Sequence, residues 1–327
     1  MMKIGKVPET ILRRSVFKKI NVKRPEVLVH AGIGEDCAVL GPTEDAIVLS
    51  TDPITGTAKD IGKLAFHITA NDIASSGAEL IGILVTIIFP PENSEEELKT
   101  IMEDMTGLAD QYQVEILGGH TEVSEAVSQT LVSVTGVGRI AKEKVVTTGG
   151  LKPKQELVVT KWIGLEGSLI LAKEREEELK KQLPEEMIET VKGFDKYLSV
   201  VPDSRIAMEA GVSAMHDVTE GGIFGALWEM AAASGVGLEI DLKKIPVRQE
   251  TIEVCEVFDI NPYMLISSGT MLIGTDHGHQ LVEALERAGI HAAVIGYATE
   301  GNDRVIINGE ERRFLEPPKT DELFRVL

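Results

Sequence analysis

Residues 60–89, DIGKLAFHITANDIASSGAELIGILVTIIF, constrain the fold more than any other stretch of this chain. The first part (60–78) has apolar or small residues at 61, 64, 65, 68 and 73, a spacing that predicts a helix with one face to bury. The second part, LIGILVTIIF, is continuously apolar and predicts a strand buried on both faces. It falls far short of the roughly 20 residues that a membrane helix needs. A helix of this kind running straight into such a strand sets a mixed helix-and-sheet architecture.

The flanking sequence extends that pattern. AIVLSTD (46–52) reads as a short strand that ends on an acid. NSEEELKTIMEDMTGLADQY reads as an amphipathic helix, with Ser94 and Glu97 at the spacing of a capping box. VEILGGHTEV and TLVSVTGVGRI are further strand candidates. The Thr/Gly/Pro-rich TTGGLKPKQ (147–155) marks the best domain boundary, which gives halves of 1–147 and 148–327. In the second half KEREEELKK reads as a solvated helix face. AMHDVTEGG reads as strand and loop, and IFGALWEMAAASG as a helix stopped by Gly235. DIASSGAELIGI and EMAAASGVGLEI echo each other, both being helix ends that run through small residues into a strand. An α+β chain with two similar layers fits best.

Composition narrows the partners. Hydrophobic residues make up 43% and aromatics only 4%, so the core must be aliphatic. A net charge of −19 disfavours nucleic-acid backbones and anionic membranes, although acids still hold phosphates through bridging divalent metal. The start, MMKIGKVPET, has no apolar signal core, and Cys37 and Cys255 cannot build a disulfide framework. The expectation is a cytoplasmic protein.

The candidate chemistry lies in acids beside glycines. HAGIGEDCAVL (30–40) places Glu35 and Asp36 against an apolar run, and Asp52 ends a strand. Asp72 shares a helical face with Ile61, Ala65 and Ile68, where a carboxylate is costly to bury unless paired or metal-bound. It either caps backbone or pairs with a lysine such as Lys63, or it joins a hard-cation site. In GGHTE (118–122), Gly118 and Gly119 allow close approach of a ligand, with His120 and Glu122 following. His120 reads equally as a structural hydrogen-bonder or a functional group. In HDVTEGG (216–222), Gly221 and Gly222 open a helix whose N-terminus can receive an anion, and Asp217 and Glu220 can hold the accompanying metal. An ordinary helix entry reads as well. Lys63 and Lys6 are candidate phosphate contacts or plain surface lysines. There is no Walker-type GxxxxGK[ST] and no GxGxxG that opens a helix after a strand. Neither cysteine has a setting that favours its thiolate.

Taken together, GIGEDCAVL, STDPITG, IGKLAFHITANDIASSGAEL, GGHTEV and HDVTEGGIFGALWEMAAASGVGLEI resemble the ATP-binding superfamily related to aminoimidazole ribonucleotide (AIR) synthetase. Within it, 245–275 is most similar to the hydrogenase expression/formation branch. The resemblance implies a two-domain AIR synthetase-like fold, a homodimer joined through N-terminal strands, and Mg²⁺-ATP in a cleft. By motif, the implied metal ligands are Asp36, Asp52, Asp72 and Asp217, with Glu122 a further candidate. The implied nucleotide contacts are Gly32, Gly34, Gly118, Gly119, Gly221 and Gly222, with Lys63 and His120 as candidate catalytic groups. Several relatives carry Asp or Glu at the His120 position, while selenophosphate synthetase also has histidine there. The hydrogenase factor's C-terminal Pro-Arg-Ile-Cys has no counterpart in the ending DELFRVL, so carbamoylation of such a thiol is not expected. The implied activity is phosphoryl transfer from ATP to an amide or carbonyl oxygen, or to a phosphate, of an unidentified small-molecule or protein-carried substrate. The alternatives are a kinase of the thiamine-monophosphate type and a non-enzymatic ATP-binding maturation partner.

Overall fold

A computed structural model of the chain describes residues 10, 27–29, 32, 34–35, 37–41, 44–54, 60–317 and 320–327. The first half is built on a sheet of β1 (Val27–Val29), β2 (Ala38–Leu40), β3 (Asp45–Ile54), β4 (Glu79–Phe89), β5 (Glu115–Val123) and β6 (Leu131–Ala141). Their spatial order is β1-β2-β3-β6-β4-β5. The ladder between β3 and β6 is antiparallel from Asp45 opposite Ala141 to Ile54 opposite Val132, while β4 and β5 run parallel. Helices α1 (Ile61–Ser75) and α2 (Glu95–Tyr112) cover one face. The capping box at the start of α2 forms as its spacing predicts: Ser94 N–H donates to Glu97 Oε2 at 2.7 Å, and Glu97 N–H to Ser94 Oγ at 3.3 Å.

Strand β4 departs from its expectation. Ile83, Val85, Ile87 and Phe89 are buried against the helices, but Ile81 and Leu84 are 39% and 43% exposed. Side chains alternate across a strand, an irregularity at Ile81 shifts that alternation, and within one chain no second layer covers the outer face of this sheet among the described residues. The run is apolar on both sides yet buried on only one.

The second half holds β7 (Glu156–Thr160), β8 (Ala214–Val218), β9 (Gly237–Asp241), β10 (Thr270–Thr275), β11 (Ala292–Thr299), β12 (Arg304–Asn308) and β13 (Glu311–Phe314). They are ordered β13-β12-β9-β11-β7-β10-β8. Its longer helices are α3 (Leu165–Glu174), α4 (Val201–Ala210), α5 (Gly222–Ser234), α6 (Gln249–Phe258) and α7 (Gly278–Arg287), besides the shorter helices Glu176–Leu179 and Glu185–Lys192 and single turns. Ile223, Ala226, Leu227 and Met230 of α5 pack on one face of this sheet, and α4 and α7 pack on the other. Helix α5 stops at Gly235 as predicted, and both members of the internal echo are helix-to-strand junctions. KEREEELKK spans the end of α3 and a short helix. Lys180 pairs with Glu176 at 3.0 Å on the surface, and Leu179 is buried.

Helix α1 holds the two halves together. Its Asn71 Nδ2–H donates to Leu198 O at 2.8 Å, and Val200 N–H donates to Asn71 Oδ1 at 2.9 Å. Ser204 Oγ–H of α4 donates to Ala74 O at 2.6 Å, and Ala74 belongs to the core beneath the second sheet. Sandwiched between both layers, α1 is buried on nearly every side, which is why its sequence is dense in small residues. No helix among the described residues is long and apolar enough to cross a membrane.

Candidate functional site

Where α1 and the end of β3 meet the second half lies a cleft of about 480 Å³. Ser50 and Asp52 stand two residues apart on β3, so both side chains point to the same face. Ser50 Oγ–H donates to a carboxylate oxygen of Asp72, which is only 5% exposed. The thiol of Cys37 donates to the Asp72 carbonyl at 3.0 Å, tying the loop that leads into β2 to the same turn of helix. Asp52, Asp72 and Glu35 thus line one wall. The other wall comes from the second half: Glu166 in the first turn of α3, Thr219 and Glu220 before α5, and Ser268. Leu64, Ile68, Ile170, Ile266, Leu323 and Phe324 supply its apolar surface.

The residues singled out by sequence divide by location. Asp52 and Asp72 share the cleft, and Glu220 lies in it as well. Asp36, like Lys6, lies outside the described residues. Gly34 sits where a Cβ would come within 2.9 Å of the Glu229 carbonyl on α5, so its loop packs directly on the second half. Gly32 precedes it in the same loop. Asp217 is buried on β8, on the side of Met215 and Met271, the face against which Ala74 of α1 packs. It is not among the residues that line the cleft. His216 points the opposite way, and its Nε2 lies 3.1 Å from Glu229 Oε2.

Other candidates are elsewhere. Lys63 is turned away from Asp72, to Asp60 at 3.7 Å and Asp104 at 3.9 Å. His120 and Glu122 are exposed on β5, 2.9 Å apart, and neither lines the cleft. Gly118 and Gly119 are on the same strand, and a Cβ at Gly119 would sit 1.8 Å from the Val85 carbonyl. That glycine therefore has a packing reason of its own. At the start of α5, the Gly221 N–H donates to Asp321 Oδ2 at 2.6 Å, and Gly222 follows it into the helix. The anion at this helix start is supplied by the chain itself. Among the described residues no group of three or more His, Cys, Asp or Glu side chains is gathered tightly enough to hold a metal ion.

Two acids escaped the sequence reading. Glu166 is 2% exposed, and burial pushes its carboxyl up to about 7, against hydrogen bonds from Ser268. Burial likewise pushes Asp321 up to about 6, against N–H donors from Leu323, Gly221 and Ile266. The signal for Glu166 was present in GLEGSLILA, an acid inside a stripe that is otherwise small or apolar. Asp321 carries no local signal, because it meets Gly221 only through the fold. Both cysteines are buried, and burial with Glu322 nearby pushes the Cys255 thiol up to about 12. That value fits the expectation of an unreactive thiol there.

The architecture of two mixed layers around an acid-lined cleft has a known counterpart. Residues 34–140 match the N-terminal domain of AIR synthase related proteins, and residues 152–308 match their C-terminal domain. The chain belongs to the AIR synthase related family. It is similar to a putative hydrogenase expression/formation protein of Methanocaldococcus jannaschii, 27% identical over 98% of this chain and 97% of that protein. It is also similar to the carbamoyl dehydratase HypE of Rhodobacter capsulatus, 28% identical over 79% of this chain and 74% of the relative. A hydrogenase maturation protein HypE solved in complex with ATP superposes with a TM-score of 0.71, covering 98% of both chains at 18% identity. This last likeness is one of fold.

Proposed function

We propose that this protein is a magnesium–ATP-dependent phosphotransferase that passes the γ-phosphoryl group to an oxygen of an acceptor bound in the same cleft. The observation that carries this reading is the charge of the lining. Asp52, Asp72, Glu166 and Glu220 all line one cleft of about 480 Å³, and no Lys, Arg or His lines it among the described residues. A triphosphate can enter such a site only together with cations, and carboxylate oxygens are the donors that Mg²⁺ prefers. Asp52 and Asp72 would hold the ion, with Glu220 and Glu35 on the rim. When bound, Mg²⁺ neutralises phosphate charge and aligns the phosphoryl group.

The chain's own residues prepare that arrangement. Ser50 fixes the rotamer of Asp72 by donating to one of its carboxylate oxygens. Leu64, Ile68, Ile170 and Phe324 keep bulk water from the transferring group. The ATP-bound structure of a protein with this fold supports nucleotide as the ligand. The names of the relatives, which include a carbamoyl dehydratase, support an amide or carbonyl oxygen as the acceptor.

Calorimetry with ATP, with and without Mg²⁺, tests the site. Binding should require Mg²⁺, and Asp72→Asn should weaken it at least tenfold, with Asp52→Asn acting in the same direction. Equal affinity in all these cases would refute the reading. Turnover of ATP that appears only when an acceptor is added separates an enzyme from a nucleotide-binding accessory protein.

A further inference from the structure

We infer that Lys161 is a positioning residue for the cleft: its buried ammonium ties the helix that carries Asp72 to the end of β7, from which α3 departs, and so sets the spacing at which Mg²⁺-ATP is held. This rests on the phosphoryl-transfer reading and adds to it a residue outside the cleft lining.

Two observations set Lys161 apart. It directly follows β7, and its backbone is left-handed, at φ 53°. Glycine adopts that conformation without steric cost, whereas an L side chain there is disfavoured. A lysine in this place acts against the preference of its own backbone, and such outliers persist only where surrounding contacts fix them. The side chain supplies the contacts. Lys161 is only 6% exposed, and its Nζ donates to both oxygens of Asp203, at 2.7 and 2.8 Å, and to Ser199 O at 2.9 Å. The three protons of the ammonium are thereby matched to three oxygens. Asp203, in the first turn of α4, is itself 1% exposed.

Each end of this anchor leads to the cleft. From Lys161 the chain runs into α3, whose Glu166 and Ile170 are part of the lining. In the other direction, the segment that the ammonium holds is the one that grips α1. Leu198 O accepts from Asn71, Val200 N–H donates to Asn71, and Ser204 Oγ–H donates to Ala74 O. Asp72 lies between these two grips in the sequence. Lys161 is thus a shared support of two helices that line the cleft from different halves of the chain. A misplacement of about 1 Å can cost a catalytic site about a hundredfold. An apolar pair of similar volume could fill the space of Lys161 and Asp203, but it would offer no directional bond to hold Ser199 at a fixed distance from β7. That difference separates positioning from filling.

The test compares wild type with Lys161→Met combined with Asp203→Leu, in the full chain. Replacing a buried ion pair by apolar residues of similar volume is often neutral for stability, so the thermal midpoint should stay within a few degrees. Mg²⁺-ATP affinity by calorimetry should nevertheless fall at least fivefold. Without nucleotide, amide exchange at residues 71–75 should quicken while the β3–β6 ladder keeps its protection. Asp203→Asn keeps an acceptor for the ammonium in the same place and should lose less affinity than the double variant. Affinity within twofold of wild type together with unchanged exchange in the double variant overturns the inference. If the double variant does not fold, the same result in Asp203→Asn overturns it. So does a loss of affinity accompanied by faster exchange throughout the chain, which would mark Lys161 as a residue of general stability. A wild type that does not bind Mg²⁺-ATP overturns the phosphoryl-transfer reading instead, and the exchange measurements, which need no nucleotide, still decide the role of Lys161.

Discussion

His67 and Asp72 are both buried on α1, but the fold provides for them differently. Asp72 receives a proton donor from Ser50. His67 is packed edge-on against Phe66 and Tyr112, and its Nδ1 has no hydrogen-bond partner among the described residues. Loss of water on burial pushes its imidazole down to about 4, with Asp195 opposing. In the unfolded chain the same group titrates near 6.5, so between these values the unfolded state binds more protons. The stability that His67 contributes is therefore complete above about pH 6.5 and is lost as the pH falls toward 4. The loss is of order 3 kcal/mol over that window. Thermal melts of wild type and His67→Gln at pH 7 and pH 4.5 check this. The wild type should lose more stability to acid than the variant, and equal acid sensitivity would contradict the assignment.

At the scale of elements, what the sequence made legible followed periodicity and capping. Helix α1, the capping box of α2, β3, β6 and the stop of α5 at Gly235 were all readable, since each depends on residues within a few positions of one another. The outer face of β4 was misread, because an apolar run does not record whether its second face is covered. The placing of Asp52 and Asp72 in one cleft needed only that a strand end and a helix meet. Two features of the site had no such local trace. Ser268 meets Glu166, and Asp321 meets Gly221, each across about 100 positions of chain. Lys63 reads in the sequence as a candidate phosphate contact or a plain surface lysine, and the fold places it beside Asp60 and Asp104.

At the scale of the whole molecule, the uncovered face of the first sheet shapes the expectation for assembly. Ile81, Leu84 and Leu117 stand 39%, 43% and 49% exposed on adjoining strands β4 and β5. Contiguous apolar surface of this kind marks an association site, and a second copy of the same face is its simplest cover. Light scattering at micromolar concentration should give a dimer, and Leu84→Glu combined with Leu117→Glu should give a monomer. A wild type that is monomeric across that range would refute this arrangement.

The fastening of α1 by Asn71 and Ser204 bears on how a ligand gets in. Asp72 travels with a helix that enters from the first sheet but is bolted to the 198–204 segment of the second half. The two halves cannot swing apart like a hinge without breaking buried hydrogen bonds at Leu198, Val200 and Ala74. Each buried group left unsatisfied costs about 1–3 kcal/mol. Entry past Glu35 and the end of β3, which line the cleft, would leave these bonds intact. Asn71→Ala would convert this clamp into a joint. Hydrogen–deuterium exchange should then quicken along α1 and residues 198–204 while the β3–β6 ladder keeps its protection. A uniform rise across the chain would show instead that Asn71 serves global stability.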